Sequence, residues 1–108
     1  MSGIDDLGKL HENKFALDSD LEFKANARRN KLVGTWAAEL MGLEGDAVEA
    51  YAKEVVIADL EEKGDDDVYR KLRQDLSSKN VDISDHRIRR EMDDLMVVAR
   101  DQIHTEVT

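Results

Sequence analysis

The chain has 108 residues, enough for one domain with one hydrophobic core and too few for a second of ordinary size. Its net charge of -9 argues against general binding to nucleic acid or to an anionic membrane. The absence of cysteine excludes a disulfide framework and thiolate chemistry, and the absence of proline beside 38% charged residues favours an all-α fold.

The first stretch, "MSGIDDLGKLHENKFALDS", carries only scattered apolar positions, and Gly3 and Gly8 weaken any helix there. Residues 1–19 are therefore expected to form a mobile arm, with residues 20–108 as a four-helix domain. The stretch lacks the long apolar core of a signal peptide, and no later run approaches the length of a membrane span. Together these features predict an intracellular, soluble protein.

A helical period is clear from Asp20 to Met41. Leu21, Ala25, Leu32, Val33, Trp36 and Leu40 share one face, Asp18 and Asp20 suit its start, and Gly42 is a natural stop. "DSDLE" also opens like a calcium loop, but Phe23 and Arg29 stand where such a loop needs Gly and Glu. A second helix is predicted over "GDAVEAYAKEVVIADLEEKG", capped by Asp46 and ended by Gly64, with Val48, Tyr51, Ala52, Val55 and Val56 inward. "DDDVYRKLRQDLSSKN" predicts a third, with Val68, Leu72 and Leu76 as its stripe. Ser84 caps a fourth, which turns Ile88, Met92, Leu95, Met96, Ala99 and Ile103 inward. Four helices with short connections predict an antiparallel bundle. Its core is expected around Trp36, with Leu32, Leu40, Val48, Ala52, Val55, Leu72, Leu76, Met92, Leu95 and Ala99 mostly buried.

Charge is unevenly spread. Residues 44–64 hold seven acids and two bases, whereas residues 20–43 hold three acids and four bases. On a helix, Lys24, Arg28 and Lys31 fall on one polar side, either as a solvated stripe with Arg28 in solvent or as a docking site for an acidic partner. Arg29 instead falls on the apolar face. Asp59 intrudes likewise into the apolar stripe of the second helix. In a hairpin turning near Glu44 the two are equidistant from the turn, as are Trp36 and Ala52, which predicts an Arg29–Asp59 pair with Glu62 as the fallback. A further strip of Ala27, Asn30, Gly34 and Ala38 is small enough to let another helix approach closely.

No Walker loop, dinucleotide fingerprint or zinc motif occurs, and His11, His86 and His104 fall in different elements. No cofactor, metal or catalytic residue is assigned, and the chain is not read as an enzyme.

The segments "FKANARRNKLVGTWAAELMGL", "YAKEVVIADLEEKGDDDVYRKLRQDL" and "VDISDHRIRREMDDL" closely resemble the zeta-subunit family of alphaproteobacterial F-type ATP synthases. "ARRNK" followed by "WAAEL" is the most specific part. The resemblance implies a four-helix inhibitor of ATP hydrolysis, a monomer when free, cytoplasmic and peripheral to the inner membrane through the synthase. It implies an N-terminal arm that enters a catalytic α/β interface near the γ rotor and becomes helical there, while the body docks outside. On that pattern Asp5, Asp6, Leu7, Lys9, Leu10, Glu12, Lys14 and Phe15 would contact the partner. The arm keeps Asp5, Asp6, Lys9, Glu12, Lys14, Phe15 and Ala16 of the family pattern. It departs from it at Leu7, Gly8, Leu10 and His11, where the family commonly has two charged residues and then an alanine-aromatic pair. Two other readings remain open from the residues alone: a helical protein-interaction adaptor, or a phosphate- or nucleotide-binding bundle using Lys24, Arg28 and Lys31.

Overall fold

The computed structural model describes residues 18–60 and 64–107. Among these residues the fold is all-α, with four helices: α1 (Ser19–Leu40), α2 (Asp46–Ala58), α3 (Asp66–Ser78) and α4 (Asp85–Val107). The arm assigned to residues 1–19 lies outside the described residues except for Asp18 and Ser19.

Local chemistry accounts for most helix ends. Asp18 Oδ1 accepts the Leu21 amide at 2.9 Å, and Ser84 Oγ accepts the Arg87 amide at 3.0 Å. At the other end of α1 the Leu43 amide returns to the Ala38 carbonyl at 3.0 Å. After α3, Asn80 takes the left-handed conformation at φ 61°, which carries the Val81 amide back to the Leu76 carbonyl at 2.9 Å. Asp46 does not cap α2. Gly45 holds that position at φ 58° and ψ -131°, a conformation for glycine alone, and Asp46 becomes the first helical residue. There its carboxylate still favours the positive end of the helix dipole.

The second helix also stops earlier than its pattern suggests, at Ala58 instead of near Gly64. A helix continued through "DLEEKGDDD" would stack like charges three and four residues apart, such as Glu61 with Asp65 and Glu62 with Asp66. Ending at Ala58 frees the chain to reverse and start α3 at Asp66.

The longest helices, α1 and α4, pack together, and α1 touches all three of the others. Its buried residues are Ala25, Arg29, Asn30, Val33, Gly34, Ala37 and Ala38. This face is rotated from the expected one toward the small-residue strip. Gly34 explains the rotation: a Cβ there would lie 2.8 Å from Ala52 Cα, so α2 is seated directly on α1's glycine. Larger residues would hold the helices apart. As a consequence Leu40 lies 42% exposed, contrary to expectation, and Trp36, Leu32, Val48 and Leu95 flank the core as half-buried residues. Trp36 packs against the core edge beneath Arg87, whose guanidinium carbon lies 6.0 Å from the ring centre. Elsewhere most of the predicted stripes are buried, namely Tyr51, Ala52, Val55, Val68, Leu72, Leu76, Ile88, Met92, Ala99 and Ile103, whereas Val56 and Met96, expected inward, are half-buried.

Candidate functional surface

Arg29 is among the most deeply buried charged groups, at 1% exposure. Its position on α1 follows from helical period alone, but its partner does not. Its Nε donates to Asn30 Oδ1 at 2.7 Å, and its Nη2 donates to Asp65 Oδ1 at 2.7 Å. The expected pair with Asp59 is not formed. The hairpin register explains this: Gly34, not Trp36, faces Ala52, so α2 is displaced by two residues from the symmetric count. Asp59 is carried past the guanidinium, and the returning chain delivers Asp65 at the start of α3 in its place. Glu62, the fallback, lies outside the described residues. Arg29 thus ties α1 to the α2–α3 connection, a structural role with a different carboxylate.

The polar stripe divides. Lys24 and Lys31 are exposed, as expected. Arg28 is not a solvated cation: Nη1 donates to Gln102 Oε1 at 2.7 Å and lies 2.7 Å from Glu106 Oε2. The hydrogen bond to Glu106 is the main cause raising the Arg28 pKa, and it holds the Glu106 carboxyl below its ordinary value. Lys24, Arg28 and Lys31 do line one shallow groove of about 370 Å³, with Phe23, Val56 and Ile103. Glu106 lies in the same groove and already supplies the anion. That arrangement disfavours a phosphate site built on these three cations.

A larger groove of about 860 Å³ opens on the other side of Phe23. It runs between the first turns of α1, the end of α2 and the middle of α4, and Asn30, Asp59 and Asp65 line it. Across one end Arg100 of α4 donates from Nε to Glu22 Oε1 of α1 at 2.8 Å. Among the described residues, no group of three His, Asp or Glu side chains could hold a metal ion.

Several fixing contacts have no signal in the linear pattern, because their partners lie on other helices. Arg73 of α3 donates from Nη1 to the Ile83 carbonyl and to Asp85 Oδ1, both at 2.8 Å, which lowers the Asp85 pKa. Tyr51 of α2 donates to Asp75 Oδ2 of α3 at 2.8 Å, and burial, aided by that bond, raises the phenol pKa well above normal. Lys71 of α3 bonds Glu54 of α2 at 3.1 Å. These contacts tie α2 to α3 and α3 to the start of α4, while Asp5, Asp6, Leu7, Lys9, Leu10, Glu12, Lys14 and Phe15 lie outside the described residues.

Comparison with known proteins gives a consistent picture. The family model described as ATPase inhibitor subunit zeta matches residues 1–102. A protein whose structure was determined in solution by NMR is 48% identical, with a TM-score of 0.71. The match covers 80% of this chain and 98% of that one. No curated protein matches.

Proposed function

Because this chain belongs to the ATPase inhibitor subunit zeta family, we propose that it inhibits ATP hydrolysis by F-type ATP synthase through its N-terminal arm. The family match carries the reading, since it starts at residue 1 and so includes the arm as well as the bundle. The arm enters a catalytic α/β interface beside the γ rotor and takes helical form there. Phe15 is its main anchor, with Leu7 and Leu10 along the same side, because an aromatic ring buries the most apolar surface. Asp5, Asp6, Lys9, Glu12 and Lys14 make the polar contacts.

Ordering the arm costs conformational entropy, so the arm alone binds weakly. A body docked outside the interface raises the arm's effective concentration at its site. The bundle is suited to such anchoring, because α1 is capped at Asp18 and cross-tied to α4 by Arg28 and Arg100. The arm therefore leaves from a fixed point. The acidic surface and the absence of any described helix long and apolar enough to cross a membrane fit attachment through a protein partner.

The test is ATP hydrolysis by the cognate synthase with the full chain or with a chain starting at Asp18, which retains the α1 cap. Inhibition by the full chain alone is the expected result. Full inhibition by the shortened chain would reject the arm mechanism, and no inhibition by either would reject the inhibitor reading.

A further inference from the structure

We propose that the 860 Å³ groove is the face by which the body docks on the catalytic head, where it receives an apolar side chain ringed by lysine or arginine. This rests on the inhibitor reading above and adds to it the docking surface and the chemistry of its partner.

The groove is apolar where a partner would press and polar at its floor and rim. Phe23 and Leu60 line it at 64% and 65% exposure, and Val56 and Met96 complete its apolar wall. Phe23 and Leu60 are the two most exposed large hydrophobic residues among the described residues, and both lie at this one groove. At the floor, Asn30 is 1% exposed. Its Oδ1 is engaged by Arg29, but its Nδ2 has no hydrogen-bond partner among the described residues. A buried amide donor without an acceptor is costly, and a carbonyl entering with the partner relieves that cost.

Position and charge select the occupant. The arm leaves the bundle at Asp18, and Phe23 lies five residues along α1, about 7.5 Å by helical rise. Arm and groove thus open at the same end of the molecule, so a partner that takes the arm lies against the groove. The described lining is acidic on balance: Glu22, Asp59 and Asp65 stand against Arg100. Asp59 lines the groove and pairs with none of the described cations. A cation-fringed partner complements this rim. A second copy of the chain would set acid against acid. The chain's own arm, with three acids and two lysines over residues 1–17, is no better matched.

The experiment measures binding of the full chain to purified catalytic head, over a range of salt, for four proteins: unaltered, F23S/L60S, D59K and V97S. Val97 is an exposed apolar residue of α4 outside the groove and serves as the control. F23S/L60S is expected to raise Kd at least about tenfold, as for loss of interface anchors. D59K is expected to slow association and flatten its salt dependence. V97S is expected to bind as the unaltered chain does. All four should melt alike, since Phe23, Leu60 and Val97 are exposed and half-buried Asp59 pairs with none of the described cations; D59K tests the face independently should F23S/L60S melt early. Unchanged binding by both groove variants, with the unaltered chain binding, overturns the docking face alone. No binding by the unaltered chain overturns the inhibitor reading and the face with it. Two results assign the groove to another occupant and also overturn the proposal. One is self-association lost in F23S/L60S. The other is paramagnetic broadening around Phe23 from a spin label on S2C in the free chain.

Discussion

Replacing Gly34 by alanine sets two effects of opposite sign against each other. Alanine is the better helix former by about 1 kcal/mol, so an exposed site would gain stability. At this position the new Cβ would stand 2.8 Å from Ala52 Cα, with Val55 side-chain carbons at 3.2 and 3.3 Å. The nearest atom is backbone and cannot rotate away. Reaching an ordinary 3.4 Å contact requires α1 and α2 to part by about 0.6 Å. That separation loosens Val33, Ala37, Ala38 and Val55, all fully buried now. Overpacking of this kind costs about 1–3 kcal/mol, so after the helical gain of about 1 kcal/mol G34A should lose about 0–2 kcal/mol. Urea unfolding followed by helical circular dichroism should show a lower midpoint with an unchanged slope. In heat, the midpoint should fall by about 4–8 °C per kcal/mol. A G34A chain more stable than the parent by the full helical gain of about 1 kcal/mol would refute the close seating of α2 on α1, and with it the register that explains Arg29.

D65N should cost about 1–2 kcal/mol, less than a fully buried pair because Asp65 is half exposed, whereas D59N should be near neutral; equal losses in thermal melts would contradict the assigned partner. Tyr51 should resist ionisation: its raised pKa means the folded state holds the phenolic proton more tightly than the unfolded chain. Its contribution is thus present below about pH 10 and lost as pH rises further. Phenolate absorbance from one of the two tyrosines appearing only with loss of helix would match this. Glu106 and Asp85 are lowered by Arg28 and Arg73, so their contribution is present above about pH 4 and lost as pH falls through the lowered values. E106Q should therefore flatten the acid side of a stability-pH profile; an unchanged profile would argue against the Arg28 contact. In the arm, G8A should strengthen inhibition about fivefold if the bound form is helical, from about 1 kcal/mol of helix propensity; an unchanged inhibition curve would argue against a helical bound arm.

The contrast between Gly34 and Arg29 marks what could be read along the chain. Helical periodicity reports the angle of each residue about its own helix axis. It therefore identified the stripes of α3 and α4, the inward placement of Arg29 and the small-residue strip at Asn30, Gly34 and Ala38. Capping is equally local, which is why Asp18 and Ser84 could be assigned from their neighbours. The motif run around "ARRNK" and "WAAEL" likewise carried the family. Periodicity contains no information about how far one helix slides along another. Tertiary packing set that register when α2 settled onto Gly34, and a shift of two residues moved Asp59 away from Arg29; the same close seating rotated the packed face of α1 toward its small residues and left Leu40 exposed. The end of α2 has both causes: like charges three and four residues apart disfavour a longer helix, and Asp65 reaches Arg29 only after the chain reverses. Arg28 shows the same dependence: its helical angle points it outward, but α4 lies there, and a long guanidinium side chain takes whichever carboxylate the neighbouring helix brings within reach.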